Sequence, residues 1–222
     1  MMKSIALLPR RIDLTRGQFR DYYESRHAPL AIGYFAFAKY VRNHLLDEEN
    51  IGFDAISEFW NEDIVKLASL MQTEIGEIFR ADERRFMDRE QIRMGASTEE
   101  LLAGSPRGVE LSPRAKQAWL ICRDAGTGAQ ACATRAADWG RQVAAGSGPA
   151  CERVTLDVLT PWPGPRIPFD AILWFWMLPG HRPAERPAPE GLSRWRTLAA
   201  MGHETSPEAM STALRAGSGS QQ

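Results

Sequence analysis

One short segment recurs in the two halves of the chain. FDAISEFW occupies residues 53–60, and FDAILWFW occupies residues 169–176, with six identities in eight positions. KSIALL at 3–8 is paralleled by KQAWLI at 116–121, at a similar offset. Similar segments kept in order at nearly one offset indicate a duplicated unit, and 222 residues accommodate two domains of about a hundred residues each. The Gly-, Pro- and Ser-rich stretch 103–114 is the predicted junction.

The first half is predicted to follow the order βαββαβ, which is that of a split-βαβ or ferredoxin-like unit. The capping-box spacing of Thr15 and Gln18 predicts a helix that begins near Arg16. Pro29 disfavours helical geometry in the residue before it, so the helix is predicted to end near His27. The predicted strands are KSIALL, FAKYVRNHLL, FDAISEFW and QIRMG, with a helical region after Trp60.

The second half repeats the beginning of this order, and its last strand is not recognisable. Its predicted elements are a strand at 116–122, a helix at 128–145, strands at 151–159 and 169–177, and a helix at 191–201. The predicted fold class is α+β, with two tandem ferredoxin-like units that pack sheet to sheet as a pseudo-dimeric α+β barrel. The predicted boundaries are 1–108 for the first unit, 109–216 for the degenerate second unit, and 217–222 for a disordered tail.

Composition excludes several classes of partner. A formal net charge of −1 gives no broad basic field, so nucleic acid is not an expected partner. No window approaches the roughly 18 apolar residues of a membrane helix, and the N-terminus lacks the long apolar region of a signal peptide, so a cytoplasmic protein is expected. Three cysteines without CxxC spacing argue against a disulfide framework or a zinc knuckle.

Motifs for common cofactors and metals are missing from the sequence. It has no GxGxxG or P-loop pattern, and its four histidines show no HExxH or paired metal spacing. A haem would need His27 or His44 as its axial ligand. No cofactor and no metal site is therefore predicted.

Strand parity predicts a polar face on the first sheet. If Val41 and Leu45 face the helices, then Tyr40, Arg42 and His44 face the opposite side, as do Glu58 and Trp60 on the next strand. Asn43 has the other parity and is predicted to be structural. Sheet-to-sheet packing would enclose the polar face in a cavity, where its groups would need partners.

The second half is predicted to supply an aromatic wall to this cavity. Trp174 and Trp176 stand at the places of Glu58 and Trp60, and six of the seven tryptophans lie in this half. Such rings can stack on a planar ligand, although for any single ring a core role is the more common one. His181 and His203 lie in Gly/Pro-rich or terminal segments and are predicted to be surface residues.

Several segments together resemble the EthD-like branch of the dimeric α+β barrel superfamily. They are KSIALLPRR, TRGQFRDYYESRHAPLA with its HAPL segment at 27–30, YVRNHLL, and DAISEFW before an acidic helix start. The resemblance covers roughly residues 3–95, and the second half resembles a degenerate copy fused in tandem. It implies a cavity for a hydrophobic or aromatic small molecule. The wider superfamily includes polyketide cyclases, dehydratases, lactone isomerases and cofactor-free monooxygenases, and fold kinship does not select among them.

These observations lead to one functional hypothesis with two alternatives. The chain is predicted to be a cofactor-independent enzyme that transfers protons on an aromatic or polyketide-like molecule, as a dehydratase or other lyase, a cyclase or an isomerase. The alternatives are a non-catalytic binding protein and a cofactor-free oxidoreductase. The fused barrel is expected to act as a pseudo-dimeric monomer or to pair again as a homodimer.

The resemblance makes His27, which matches the family histidine, the general acid or base. A role limited to the helix dipole is the simpler alternative for this residue. His44 and Glu58 are the further catalytic candidates. The predicted substrate-binding residues are Tyr23, Tyr40, Arg42, Trp60, Trp174 and Trp176.

Overall fold

The fold is a closed barrel of eight antiparallel strands, seen in a computed structural model that describes residues 2–47, 49–61, 64–106, 108–160 and 162–219. The strands are β1 (Met2–Leu8), β2 (Phe37–Leu45), β3 (Ala55–Asn61), β4 (Arg93–Gly104), β5 (Arg114–Arg123), β6 (Cys151–Thr160), β7 (Ala171–Met177) and β8 (Leu192–Glu204). Around the barrel their order is β1-β3-β2-β8-β5-β7-β6-β4. The α+β class is therefore confirmed.

Helices cover the outside of the barrel. They are α1 (Arg16–Tyr22), a π-helical turn (Tyr23–His27), α2 (Ala28–Tyr34), α3 (Ile64–Leu70), α4 (Glu74–Glu83), α5 (Ala129–Ser147) and α6 (Pro207–Gly219), with short 3-10 turns at Arg89–Gln91 and Gly148–Ala150. None of the helices in the described part of the chain is long and apolar enough to cross a membrane. The predicted tail at 217–222 begins inside α6, and residues 220–222 lie outside the described residues.

The two halves place their strands in the same order. The first half reads β4-β1-β3-β2 along the sheet and the second half reads β8-β5-β7-β6. Backbone contacts repeat as well, since Asp54 N donates to Leu8 O at 2.9 Å and Asp170 N donates to Ile121 O at 2.7 Å. The halves differ in their outer layer, because the connection between β7 and β8 contains no helix over 178–191, all of which the structure describes.

The predicted helix at 191–201 is wrong, because this segment is part of β8. β8 is the last strand of the second half, the one that was not recognisable in the sequence. The segment LSRWRTLAAMGHE is rich in Leu, Ala and Met, which favour helices weakly. Pairing to β5 on one side and to β2 on the other outweighs this preference, since it satisfies the backbone groups of the strand on both edges.

The first helical segment continues beyond the residue at which it was predicted to end. Ala28 has helical dihedrals (φ −63°, ψ −45°), and its N–H donates to Tyr23 O, five residues earlier. Pro29 lies in the first turn of α2, where a missing N–H removes no bond that the helix needs. The π-helical turn therefore lets the chain pass the proline without ending the helix, and it places His27 between two helical segments.

Three apolar clusters hold the layers together. One fills the barrel interior, with Leu7, Ile56 and Trp174 among its buried side chains. A second lies between the sheet and the helices of the first half, and a third lies under α5. Inside the barrel, the region around Leu7 and Leu45 is apolar, while charged side chains occupy the region around Lys3 and Glu58.

The backbone conformation of Gly104, at the end of β4, can be tested by substitution. Its φ is +84°, and a Cβ at this position would lie 2.1 Å from Glu152 O. Gly126 has a similar φ of +89° with nothing within 4 Å of a Cβ. We expect Gly126→Ala to cost about 1–2 kcal/mol from φ alone, and Gly104→Ala to cost more than about 2 kcal/mol because a backbone clash is added. Urea unfolding of both variants measures the difference, and equal losses would show that the close approach is unimportant.

Candidate functional site

His27 forms a buried dyad with Asp82 of α4. The His27 Nδ1–H donates to Asp82 Oδ2 at 2.8 Å, and Tyr22 OH donates to Asp82 Oδ1 at 2.7 Å. Burial raises the pKa of Asp82, but the hydrogen bonds from His27 and Tyr22 outweigh it and the pKa is lowered. An ionised Asp82 fixes the proton of the imidazole on Nδ1, which leaves Nε2 as the nitrogen that can accept a proton.

Aromatic rings enclose this dyad. The His27 ring lies 5.2 Å from Tyr23, 5.9 Å from Phe79 and 5.0 Å from Phe86, centroid to centroid. Its side chain is 9% exposed and that of Asp82 is 11% exposed. The dyad therefore has an apolar surrounding and a narrow opening to solvent, on the helix side of the sheet.

A chain of hydroxyl groups lies beside the dyad. Tyr40 OH donates to Tyr23 OH at 2.9 Å, and Tyr23 OH is 2.7 Å from Ser57 Oγ. Burial raises the pKa of Tyr23 to about 12, against the hydrogen bonds from Ser57 and Tyr40, which lower it. Both tyrosines are therefore neutral hydrogen-bonding groups near pH 7.

Glu24, also in the π-helical turn, accepts hydrogen bonds from two basic side chains, those of Arg42 and His44. Arg42 Nε donates to Glu24 Oε1 and Arg42 NH2 donates to Oε2, both at 2.9 Å, and His44 Nε2 donates to Oε1 at 2.7 Å. Burial raises the pKa of Glu24, but His44 and Arg42 lower it to about 2. Burial lowers the pKa of His44 in spite of Glu24. The pair is thus an ionised carboxylate that accepts from a neutral imidazole.

The predicted parity of β2 is wrong. Tyr40, Arg42 and His44 contact Tyr23 and Glu24 on the helix side, as the bonds above show, rather than facing the barrel interior. Asn43 has the opposite parity and lies inside the barrel, where its Nδ2 donates to Glu58 Oε1 at 2.8 Å. The reason is that Glu24 offers a buried counter-charge on the helix side, and a sequence does not show which helix residue meets a strand.

Glu58 does lie on the predicted side and belongs to an ionic cluster inside the barrel. Lys3 Nζ lies 2.8 Å from Glu58 Oε2, 2.5 Å from Glu99 Oε2 and 2.7 Å from Asp157 Oδ1. Lys116 Nζ lies 3.5 Å from Glu58 Oε1. We call Lys3, Glu58, Glu99, Lys116 and Asp157 the interior cluster.

The predicted aromatic wall packs on this cluster. Lys116 Nζ lies 4.8 Å from the Trp174 ring and 4.9 Å from the Trp176 ring, and Lys3 Nζ lies 4.5 Å from the Trp60 ring. Trp174 Nε1 also donates to Asp157 Oδ2 at 3.0 Å. Both tryptophans of β7 are fully buried. These rings therefore contact cations of the protein itself.

Burial raises the pKa of Asp157, with the nearby charges of Glu58 and Glu99 adding to it and Lys3 opposing it. Sequence reasoning missed the lysines, Glu99 and Asp157. A signal for the lysines was present, because KSIALL and KQAWLI both begin with lysine at the same place in the repeat.

Two sets of side chains contain the ligand types of a cation or a haem. The carboxylates of Glu58, Glu99 and Asp157 have ligand atoms within 4.8 Å of one another, and the Lys3 ammonium lies among them as an internal counter-ion. His27 and His44 each give one ring nitrogen to a carboxylate and pack against aromatic rings. That packing does not fit a haem on either histidine.

The other two histidines differ in their surroundings. His181 is exposed, as predicted. His203 is only 25% exposed, and its ring centroid lies 5.4 Å from that of His44. The prediction that His203 is a surface residue is therefore wrong, because β8, which carries it, is a barrel strand beside β2.

Acid should weaken the fold through Glu24. Its pKa in the folded protein, about 2, lies below its ordinary value of 4.5, so its contribution to stability is present above pH 4.5 and is lost as the pH falls toward 2. We expect Glu24→Gln to lower the free energy of unfolding at pH 7. It should also flatten the acid limb, which is the fall in this free energy as the pH drops below 4.5. Glu90→Gln, at an exposed position, is the control and should leave the acid limb unchanged. Unfolding measured between pH 7 and pH 2.5 tests this, and an unaltered acid limb in Glu24→Gln would contradict it.

Known proteins share part of this sequence and the overall fold. Residues 11–90 match the family profile of the EthD domain. The chain is similar in fold to an anthrone oxidase-like protein (10% identity, 93% of both chains covered, TM-score 0.50). It is also similar to a chlorite dismutase candidate (8% identity, 96% of this chain and 99% of the other covered, TM-score 0.50). It matches none of the curated proteins with which it was compared.

Identities this low show the fold alone. The family match lies on the half that holds the His27–Asp82 dyad and the Glu24 cluster. The resemblance found in the sequence is confirmed over residues 11–90, which match the EthD domain. Over the whole chain, the likeness to the two solved structures is one of fold.

Proposed function

We propose that this protein is an enzyme that moves a proton on a hydrophobic, aromatic or polyketide-like small molecule without a cofactor. The reaction class is that of a dehydratase or other lyase, a cyclase or an isomerase. The observation that carries the proposal is the 2.8 Å bond from His27 Nδ1 to Asp82. A carboxylate that holds one imidazole nitrogen orients the ring and fixes its tautomer, so that the other nitrogen is the one that accepts a proton, as a general base requires.

The surroundings of the dyad favour an apolar substrate. Phe79 and Phe86 pack against the imidazole, and Tyr22 fixes the second oxygen of Asp82. In such surroundings a proton that leaves carbon is transferred to Nε2, and the resulting imidazolium is stabilised by the adjacent Asp82 carboxylate. His27 is the catalytic residue in this proposal, and Asp82 is a positioning residue.

The remaining predicted site residues take supporting roles. The hydrogen bond between the Tyr40 and Tyr23 hydroxyls fixes the helix that carries His27 against the sheet. His44 and Arg42 bind Glu24. The other predicted residues lie in the barrel interior or at its end, and they are Glu58, Trp60, Trp174 and Trp176. We therefore assign none of these residues to the proton transfer itself.

The architecture is proposed to derive from two tandem ferredoxin-like units. Equal strand order in the halves and the matched backbone bonds of Asp54 and Asp170 support this origin. The missing second helix of the second half marks it as the degenerate copy. We place the boundary in the segment between β4 and β5, and we propose that one chain supplies the barrel that relatives build from two.

Anthrone is a suitable probe, since a structural neighbour is described as anthrone oxidase-like and the methylene protons of anthrone are acidic. Removal of one such proton gives an enolate, and reprotonation from D2O leaves deuterium on the carbon. We expect the protein to accelerate this exchange, followed by NMR under argon. The same mixture in air, with an oxygen electrode, tests the alternative of a cofactor-free oxidoreductase.

The outcomes separate the candidate functions. Accelerated exchange without oxygen uptake supports proton transfer. Oxygen uptake in step with loss of anthrone supports the oxidoreductase instead. Saturable binding of anthrone with neither reaction supports a non-catalytic binding protein and contradicts the enzyme.

A further inference from the structure

A cavity of about 390 Å³ lies in the second half, away from every residue assigned above to a function. It is formed by the ends of β4 and β6, the first turn of α5 and the connection between β6 and β7. Its volume falls in the range of small-molecule sites, which is roughly 300–1,000 Å³. The EthD match ends at residue 90, so the cavity lies outside the matched region.

Apolar side chains form most of the wall. Leu159, Ile167, Phe169, Trp162 and Met94 are among the residues that line it. Ile167 and Phe169 are buried, whereas Trp162 is only partly buried. The cavity therefore offers a large ring surface to an apolar body.

Two arginines give the cavity one polar side. Arg123 Nε lies 3.1 Å from Asp170 Oδ1, and Arg166 NH2 lies 2.9 Å from the same oxygen. Arg123 N also donates to Asp170 Oδ2 at 3.0 Å. Two guanidinium groups share one carboxylate, so these three groups together carry a net charge of +1.

The first half shows what is distinctive about Arg166. There, Arg10 and Arg16 meet Asp54 with Nε distances of 3.3 and 2.7 Å, which is the same two-to-one arrangement. The side chain of Arg16 is 21% exposed, and its NH2 also donates to Glu49 O. The side chain of Arg166 is 74% exposed. Its guanidinium can therefore turn toward an anion in the cavity at little cost.

The start of α5 adds to this preference. Ala129, the first residue of the helix, lines the cavity together with Cys132, one turn later. Gly128, which caps the helix, supplies no side chain to the first N–H groups. The positive end of a 19-residue helix therefore borders the same space as the arginine pair.

We propose that this cavity is a binding site for a small amphiphilic acid, with an aromatic or alicyclic body and one carboxylate. The apolar body packs against Trp162, Ile167 and Phe169, and the carboxylate accepts from Arg166 and Arg123. The site is separate from the His27–Asp82 dyad and does not depend on the function proposed for that dyad.

Calorimetric titration of the full chain with 2-naphthoate and with the neutral 2-naphthamide tests the proposal. We expect saturable 1:1 binding of naphthoate, with naphthamide at least about tenfold weaker, since a charge-assisted hydrogen bond contributes about that factor. Arg166→Gln should weaken naphthoate about tenfold and leave naphthamide unchanged.

Three further variants locate the binding. Ala129→Leu, at an exposed position on the cavity wall, should abolish binding of both compounds, and Gln130→Leu, one residue later and outside the lining, should leave both unchanged. His27→Ala should also leave both unchanged, which distinguishes this site from the dyad. Equal affinity for the two compounds, naphthoate binding that persists in Ala129→Leu, or no binding at all would overturn the proposal.

Discussion

Replacement of Lys3 by methionine should cost about 3–5 kcal/mol of unfolding free energy. The Lys3 ammonium is the centre of three carboxylates at 2.5–2.8 Å, and the Glu58 and Asp157 side chains are fully buried. Methionine keeps the length of the side chain but leaves these charges without their central cation. Urea unfolding at pH 7.5, followed by tryptophan fluorescence, measures the loss.

Two comparisons show that charge causes the loss. Lys66→Met removes an exposed lysine of α3, and it should cost only about 0–1 kcal/mol. Adding Glu58→Gln and Asp157→Asn to Lys3→Met should recover part of the stability, because neutral amides tolerate burial better than carboxylates that have lost their central cation. A triple variant no more stable than Lys3→Met would contradict this explanation.

The pH dependence of Lys3→Met has a definite sign. Without the ammonium, the carboxylates repel one another, so their pKa values in the folded variant should rise above those of the unfolded chain. A group with a raised folded pKa stabilises the fold at low pH and loses that contribution as the pH rises. The stability difference from the unmodified protein should therefore shrink when the pH is lowered from 8 to 5.

Replacement of His27 by alanine should slow proton exchange on the anthrone probe by about 10²-fold or more, which is the usual contribution of a general acid or base. His27→Gln is expected to behave similarly, since glutamine forms hydrogen bonds but does not take a proton at neutral pH. His181→Ala, which removes an exposed histidine, is the matched control and should exchange at the original rate. Thermal unfolding of each variant distinguishes lost catalysis from lost structure.

Asp82→Asn tests the positioning role. The amide cannot serve as an anionic acceptor for Nδ1–H, so the imidazole should populate the wrong tautomer. We expect kcat to fall with KM nearly unchanged, and by less than in His27→Ala. A fall in stability with an unchanged kcat would show that the dyad is a structural pair only.

The internal repeat made much of the barrel predictable, and the tertiary pairing of single residues set the limit. The FDA segments and the parallel between KSIALL and KQAWLI marked equivalent strands, and alternation placed Glu58 on the correct face of β3. The same alternation predicted the wrong face on β2, where Glu24 from the π-helical turn pairs with Arg42 and His44 on the helix side. A local pattern shows two faces of a strand, but the partner that decides between them is distant in sequence.

The site shows the same limit. The HAPL segment made His27 a candidate, but nothing near it indicated its partner Asp82, which lies 55 residues away. β8 escaped prediction for a related reason, since its sequence favours a helix and only the pairing with β5 and β2 makes it a strand.

The closed strand order also governs how this protein can meet another copy of itself. Every strand of the described barrel already has a neighbour on both sides, so no backbone edge is available for a second chain to extend. A homodimer, if it forms, must therefore be held by side chains of the helices and loops, and single surface substitutions should be enough to separate it.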